Sequence, residues 1–581
     1  MKTIALAGFV VLAALGLGAC SRTGGSGAQA TGSSAAGTAS AIGAAVGAVD
    51  AASAVAGSAL AFASSAAASS APARAVHGAD GIAWRHAATD ADVDAAFAAA
   101  RTSAKPLFMY WGAEWCPPCN QVKATLFNRQ DFIERSRAFV PVYIDGDSPG
   151  AQKLGARFHV VGYPTMVLFS PAGVELTRLP GEVDPERYTE VVTLGMNARR
   201  PVKAVLADAL ADPRALGATD WRLLAFYAWG VDEQQVVPKS EVPRLLKRLA
   251  AACPPSESET ATRLWLQALA AQDKAPSRPV PAVVDRLLAL LADDAAARRQ
   301  FDVLVASPAE IVRAAVERAS PPRARLVAAF DALLVRLEAD PALSRADRIG
   351  AAIARVDLAR IDVPEAKEPK ARLAAARRAR IPAPLLADVR DQAARVDREI
   401  TDGYERQAVV TAAAYLLGHA GLIEESDALL KANLEKSHSP YYLMTELADN
   451  AAQRGDDVQA LEWHRLAYEK STGPATRLQW GARYLGALVD YTPRDEATIE
   501  ATALALVDAA AAQPNAFYER SARSLARVGA KLRAWNGSGA HAAAVSRIQS
   551  RVDAICARIP AADEQHANCL AVTRVRAGKS A

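Results

Sequence analysis

A chain of 581 residues is too long for a single hydrophobic core, and roughly three or four domains are expected at this length. Its 51% apolar and 22% charged content marks most of it as globular, and a net charge of only +4 argues against the broad basic footprint of a nucleic-acid-binding protein. Six cysteines exclude a disulfide-dense scaffold and make any organised pair among them informative.

In chain order, Lys2 and the apolar run Ile4 to Leu17 form a signal-peptide core, too short to span a bilayer comfortably. Leu17-Gly18-Ala19-Cys20 resembles the bacterial lipobox, which implies residues 1–19 as a signal peptide and a lipidated Cys20. The expected location is therefore periplasmic, with membrane attachment through a lipid anchor. Several acyl chains on one residue hold a protein stably. Ser21 in place of Asp points by family habit to the outer rather than the inner membrane. Residues 20–76 are then the lipidated terminus and an Ala/Gly/Ser-rich tether with a reach of roughly 40 Å. Such composition offers little to build a core from.

Residues 77–199 alternate helical and strand patterns. A helix is expected over Asp90 to Ala104, with Thr89 and Asp92 suited to a capping box. Strands are expected over Pro106 to Trp111, Phe139 to Asp145, Thr165 to Phe169 and Val174 to Leu179. Further helices are expected after Cys119, over Ala151 to Phe158 and over Pro185 to Leu194. This order is an α/β arrangement, one sheet with helices on its faces.

Beyond about residue 200 the pattern becomes helix after helix, divided into a region 200–400 and a region 401–581. Gly421, Glu435-Lys436-Ser437 and Pro440 recur 34 residues later as Gly455, Glu469-Lys470-Ser471 and Pro474. That period resembles the tetratricopeptide repeat, and one repeat cannot bury its apolar face alone. The expected architecture is an all-α, tetratricopeptide-like α-solenoid whose repeats bind protein, with an irregular helical bundle as the alternative.

Cys116 and Cys119 follow an expected strand directly and open an expected helix, the context a redox CxxC requires. A cysteine at a helix N-terminus gains from the unpaired N–H groups and partial positive charge there, which favour the attacking thiolate. Cys116 is expected to be the nucleophile and the more exposed of the two, and Cys119 the resolving residue. Trp111-Gly112-Ala113-Glu114-Trp115-Cys116-Pro117-Pro118-Cys119, followed by Gly162-Tyr163-Pro164-Thr165 just before a strand, resembles the thioredoxin superfamily. Trp84 and the Lys105-Pro106 entry are similar to a subgroup of periplasmic thioredoxin-like domains related to electron-transfer reductases. The resemblance covers about 120 residues. It implies a cis Pro164 against the CxxC, a substrate segment paired with the Tyr163 backbone, and substrate contacts at Trp115, Tyr163 and Thr165.

Two departures from that family stand out. Tyr110 occupies the place of a buried aspartate in the family's reductases, which leaves proton acceptance to water or Glu114. Pro117 removes a backbone N–H beside the thiolate and so implies a higher Cys116 pKa and a more reducing couple.

No second CxxC or histidine cluster completes a four-ligand zinc site, and neither metal nor cofactor is expected. Cys556 and Cys569 are expected to form a structural disulfide, and Cys253 to be a buried thiol. His159 reads as a packing residue. Lys367, Lys370, Arg372, Arg377, Arg378 and Arg380 read as a solvated helix face, and Trp221, Trp229, Trp265, Trp463 and Trp480 as core. The expected function is thiol–disulfide exchange on protein disulfides, with a membrane thiol–disulfide carrier as electron donor if the direction is reductive. The alternative is a helical-repeat binding scaffold or chaperone-like module with a redox-sensing dithiol.

Overall fold

The computed structural model describes residues 81–179, 185–231, 236–272, 280–318, 320–364, 366 and 368–573. The signal segment, Cys20, the tether and Lys367 lie outside the described residues.

The first helix, α1 (Asp90–Ser103), begins as its sequence dictates. Thr89 Oγ1 accepts from the Asp92 amide, and the Asp92 carboxylate accepts from the Thr89 amide. Strand β2 (Leu107–Gly112) follows. Its Phe108 and Tyr110 enter one core while Leu107, Met109 and Trp111 enter another. This two-residue alternation, apolar on both sides, is what a strand covered on both faces requires. Next come α2 (Pro117–Thr125), α3 (Gln130–Ser136), β3 (Val140–Asp145), α4 (Ala151–Phe158), β4 (Thr165–Phe169), β5 (Glu175–Leu179) and α5 (Pro185–Met196). With β1 (Arg85–His86), the sheet runs β1-β3-β2-β4-β5, with β3 parallel to β1 and β2 and with β4 antiparallel to β2 and β5. The two-residue β1 and the short α3 are too brief to show a period in sequence. The expected elements agree in type, and their bounds match or shift by at most two residues.

The core on the Phe108 and Tyr110 face continues without a break into the helical region. It takes in Tyr188, Trp221, Trp229, Leu246 and Leu264. Arg178, fully buried, adds a polar tie. It pairs with Glu175 and donates to the carbonyls of Phe158 and His159, while its own carbonyl accepts from the Ala228 amide. His159 therefore works through its backbone, as the left-handed cap of α4. The residues from 81 onward belong to one compact unit.

Of the helices that follow, those that bear on the site or its support are α6 (Arg345–Ala359), α7 (Gly403–His419), α8 (Ile423–Asn433), α9 (Pro440–Arg454), α10 (Asp457–Lys470), α11 (Pro474–Tyr491), α12 (Glu519–Trp535), α13 (Ala542–Cys556) and α14 (Glu564–Leu570). The matched residues of the 34-residue period sit at equivalent places in them. Gly421 and Gly455 adopt positive φ of 87° and 83° just before α8 and α10. Pro440 and Pro474 each open the next helix, where the missing N–H costs nothing.

Cys556 and Cys569 are bonded and fully buried, tying α13 to α14 with 5.7 Å between Cα atoms. Replacing both by alanine is expected to lower the unfolding free energy by about 3 kcal/mol, the chain-entropy value for a loop of this size. Urea titration of the double variant beside the parent checks it; an unchanged midpoint would mean that α14 adds nothing to the folded state.

Candidate functional site

The end of β2, the start of α2 and the turn before β4 meet because β2 pairs with β4 through Trp111 and Thr165. Cys116 is the N-cap of α2, and its Sγ accepts from the Cys119 amide at 3.2 Å. The two cysteines are joined as a disulfide with Cα atoms 5.2 Å apart. Asn120, completely buried, pins the loop by donating to the carbonyls of Glu114 at 2.7 Å and Cys116 at 3.0 Å. The Tyr163–Pro164 peptide bond is cis. The Tyr163 side chain packs against Cys116 and Cys119, held over Gly146, where a Cβ would come within 2.5 Å of the ring. Thr165 Oγ1 closes the turn by donating to the Gly162 carbonyl.

The prolines at the first two helical positions shape the thiolate's surroundings. An N-cap side chain takes its hydrogen bond from the second or third residue of the helix. The third is Cys119, which donates; the second is Pro118, which cannot. The sequence drew attention to Pro117, but helix geometry assigns the missing capping donor to Pro118. Restoring it with Pro118→Ala is expected to raise the reduction potential by about 30 mV, taking one charge-assisted hydrogen bond at about 1.5 kcal/mol. Equilibration with glutathione reads the potential; no change, or a fall, would show that donors at this end do not set it.

Tyr110 is buried beneath the motif, against Tyr143, Phe127 and Trp84. Burial, with Tyr143 nearby, pushes its phenol far above the ordinary range, so it stays neutral and cannot take a proton from a thiol. Its hydroxyl has no partner among the described residues and lies 2.6 Å from where a Cβ on Gly112 would be. Asp145, at the end of β3 opposite Gly112, holds its proton more tightly than an ordinary carboxyl because it is buried. Glu114 is exposed, 3.9 Å from His438 Nδ1.

Cys116 is the more exposed of the pair, as expected, but both cysteines are removed from solvent. Cys116 is only 2% exposed and Cys119 fully buried, and Pro117 is buried as well. Trp115 and Tyr163 pack against the pair, and the helical region backs Trp115 in turn. Tyr442 of α9 stacks on Trp115 at 6.0 Å, and Trp480 of α11 meets the same indole edge-on at 6.0 Å. Asp147 joins the two parts. Its carboxylate accepts from Trp115 Nε1 at 3.0 Å, from the Thr476 amide and hydroxyl at 2.9 and 2.6 Å, and from Arg520 Nη2 at 2.6 Å. The Arg520 guanidinium also lies 5.2 Å from the Trp115 ring and 5.5 Å from that of Tyr163. Arg523 of α12 donates to the Val161 carbonyl at 2.7 Å. Trp480 is thus a neighbour of the site as well as core. Nothing in the sequence links Asp147 to residues more than 300 positions away.

Elsewhere, Cys253 is buried and its thiol is pushed up to about 11 by burial, an inert rather than a reactive setting. No group of three or more His, Cys, Asp or Glu residues that could hold a metal ion occurs among the described residues. No described helix is long and apolar enough to cross a membrane.

Known proteins resemble the chain here. A family model described as a thioredoxin-like domain matches residues 93–194. The thiol:disulfide interchange protein DsbD 1 of Pseudomonas aeruginosa is 30% identical over 111 residues, which cover 18% of this chain and 19% of that protein. The chain therefore matches about a fifth of the relative's length, and the family model ends at residue 194, before most of the helical region. The mixed sheet, the bonded CxxC at a strand-to-helix junction and the adjacent cis-proline turn agree with the matched family: residues 93–194 are a thioredoxin-like domain.

Proposed function

We propose that the protein is a periplasmic thiol–disulfide oxidoreductase that reduces protein disulfides through Cys116 and Cys119. The observation that carries this reading is the Cys116–Cys119 bridge at the N-terminus of α2, with Tyr163 of the cis-proline turn packed against it. In the reduced protein the Cys116 thiolate attacks one sulfur of a substrate disulfide. A mixed disulfide forms, and the departing substrate sulfur takes up a proton. Cys119 then gives up its proton and attacks Cys116 Sγ, releasing the second substrate thiol. The substrate gains two electrons and two protons, and the protein is left with the disulfide seen here. A dithiol carrier at the membrane returns it to the reduced form. The two prolines that open α2 support the reductive direction, because a poorly stabilised thiolate makes a reducing couple. A lipid anchor at Cys20 and the tether behind it would let the domain meet partners away from the membrane surface.

A Cys119→Ser variant tests the mechanism. Attack by Cys116 can no longer be resolved, so the variant is expected to accumulate mixed disulfides with protein substrates, released by dithiothreitol and visible on non-reducing gels. Absence of any such species, with the Cys116 thiol free and reactive, would refute the enzyme reading. It would favour the helical region as a binding scaffold.

A further inference from the structure

We infer that the helical region forms the outer wall of the disulfide's substrate cleft, and that Tyr442, Trp480 and Thr476 select extended polypeptide segments over disulfides on folded surfaces. This rests on the thiol–disulfide reading above.

The disulfide packs against Ala113, Trp115 and Tyr163 of its own domain, and residues of the helical region back these groups and the flanking segments at three places. On the Trp115 side stand Tyr442 and Trp480, and the Asp147 carboxylate clamps the same indole to Thr476 and Arg520. Along α2, Pro117 is buried, Gln121 donates to Asp347 of α6 at 2.9 Å, and Lys123 lies 5.1 Å from the Tyr404 ring of α7. Across the turn before β4, α12 places Arg523 on the Val161 carbonyl. The remaining side is different. Gly162 is exposed, while Pro118, Tyr163 and Pro164 are half-buried. The Tyr163 amide makes no hydrogen bond among the described residues.

That open side carries a backbone donor of the kind a strand can pair with, and strand pairing brings chains to about 4.8 Å. A single extended segment can lie there and place a sulfur on Cys116. A folded protein must also seat the surface around its disulfide, and that space is held by Tyr442, Trp480 and the clamp. The wall is anchored by aromatic contact and a four-donor carboxylate, so displacing it opposes binding of the larger substrate.

The test uses the full-length protein, reduced, in single-turnover reactions followed by Trp fluorescence. One substrate is an unstructured synthetic peptide closed by a single disulfide. The other is a small folded protein with one surface disulfide. Each rate is normalised to reduction of the same substrate by dithiothreitol. The peptide is expected to react at least about 50-fold faster on this scale. Tyr442→Ala and, separately, Thr476→Val are each expected to narrow that preference about fivefold by speeding the folded substrate, the scale of one lost aromatic contact in the first and one lost hydrogen bond in the second. Equal normalised rates in the parent overturn the proposal, as does a preference unmoved in both variants. Thr476→Val keeps the test decisive if Tyr442→Ala fails to fold. Failure of the reduced protein to react with either substrate or with oxidised glutathione would instead refute the thiol–disulfide reading, and this proposal with it.

Discussion

Cys116→Ser is expected to lower the rate of protein-disulfide reduction by at least about 10³-fold, because a serine hydroxyl at neutral pH is not the nucleophile a thiolate is. The loss should appear in turnover with a dithiol donor and in single-turnover oxidation of the reduced protein alike. Cys119 cannot take over: it is fully buried at the third position of α2, whereas Cys116 is the N-cap, ahead of the helix. Stability should change little by comparison, since the bridge closes a loop with a sequence separation of only 3. Comparing activity with the urea midpoint therefore separates chemistry from folding. Retention of more than about a tenth of the activity would place the reacting sulfur elsewhere.

The second large effect concerns Asp147. Its side chain is 14% exposed and that of Arg520 9%, so the pair is largely removed from water. Asp147→Ala would strand the Arg520 guanidinium with only Thr476 Oγ1 at 3.2 Å and Gln479 Oε1 at 3.5 Å, and would leave the Trp115 indole N–H without its acceptor. Breaking a buried pair from one side typically costs about 3–5 kcal/mol, because the remaining charge stays desolvated. The variant should show that loss in urea unfolding, with a shift in Trp fluorescence well before the main transition as the helices around Trp480 release Trp115. A change below about 0.5 kcal/mol would mean that the carboxylate is effectively solvated and the clamp contributes nothing.

Much of the thioredoxin-like domain could be read from its residues. Thr165 to Phe169 and Ala151 to Phe158 match their expected bounds, since one is a fully buried run and the other has a strongly amphipathic helical period. The Thr89 and Asp92 capping box is a local interaction, with both partners within three residues. What escaped was either too short to have a pattern, as with Arg85–His86, or depended on distant partners. Asn120 reads as an ordinary helix residue until it is found holding two carbonyls of the CxxC loop.

The Cys116–Cys119 pair, on which the proposed chemistry rests, is a local feature. Two cysteines one helical turn apart, placed between a strand and a helix, define their own geometry through backbone hydrogen bonds and helix capping. Sequence alone could therefore locate Cys116 and Cys119 at a strand-to-helix junction and Pro164 just before a strand. Access to that dithiol is a different property. It depends on Tyr442, Thr476, Trp480 and Arg520, which reach Trp115 and Asp147 only after the helical region has folded back onto the domain. Contacts between residues hundreds of positions apart leave no periodicity and no spacing to read. Only the tertiary structure could show that Cys116, expected to be the more exposed of the two cysteines, is itself nearly buried.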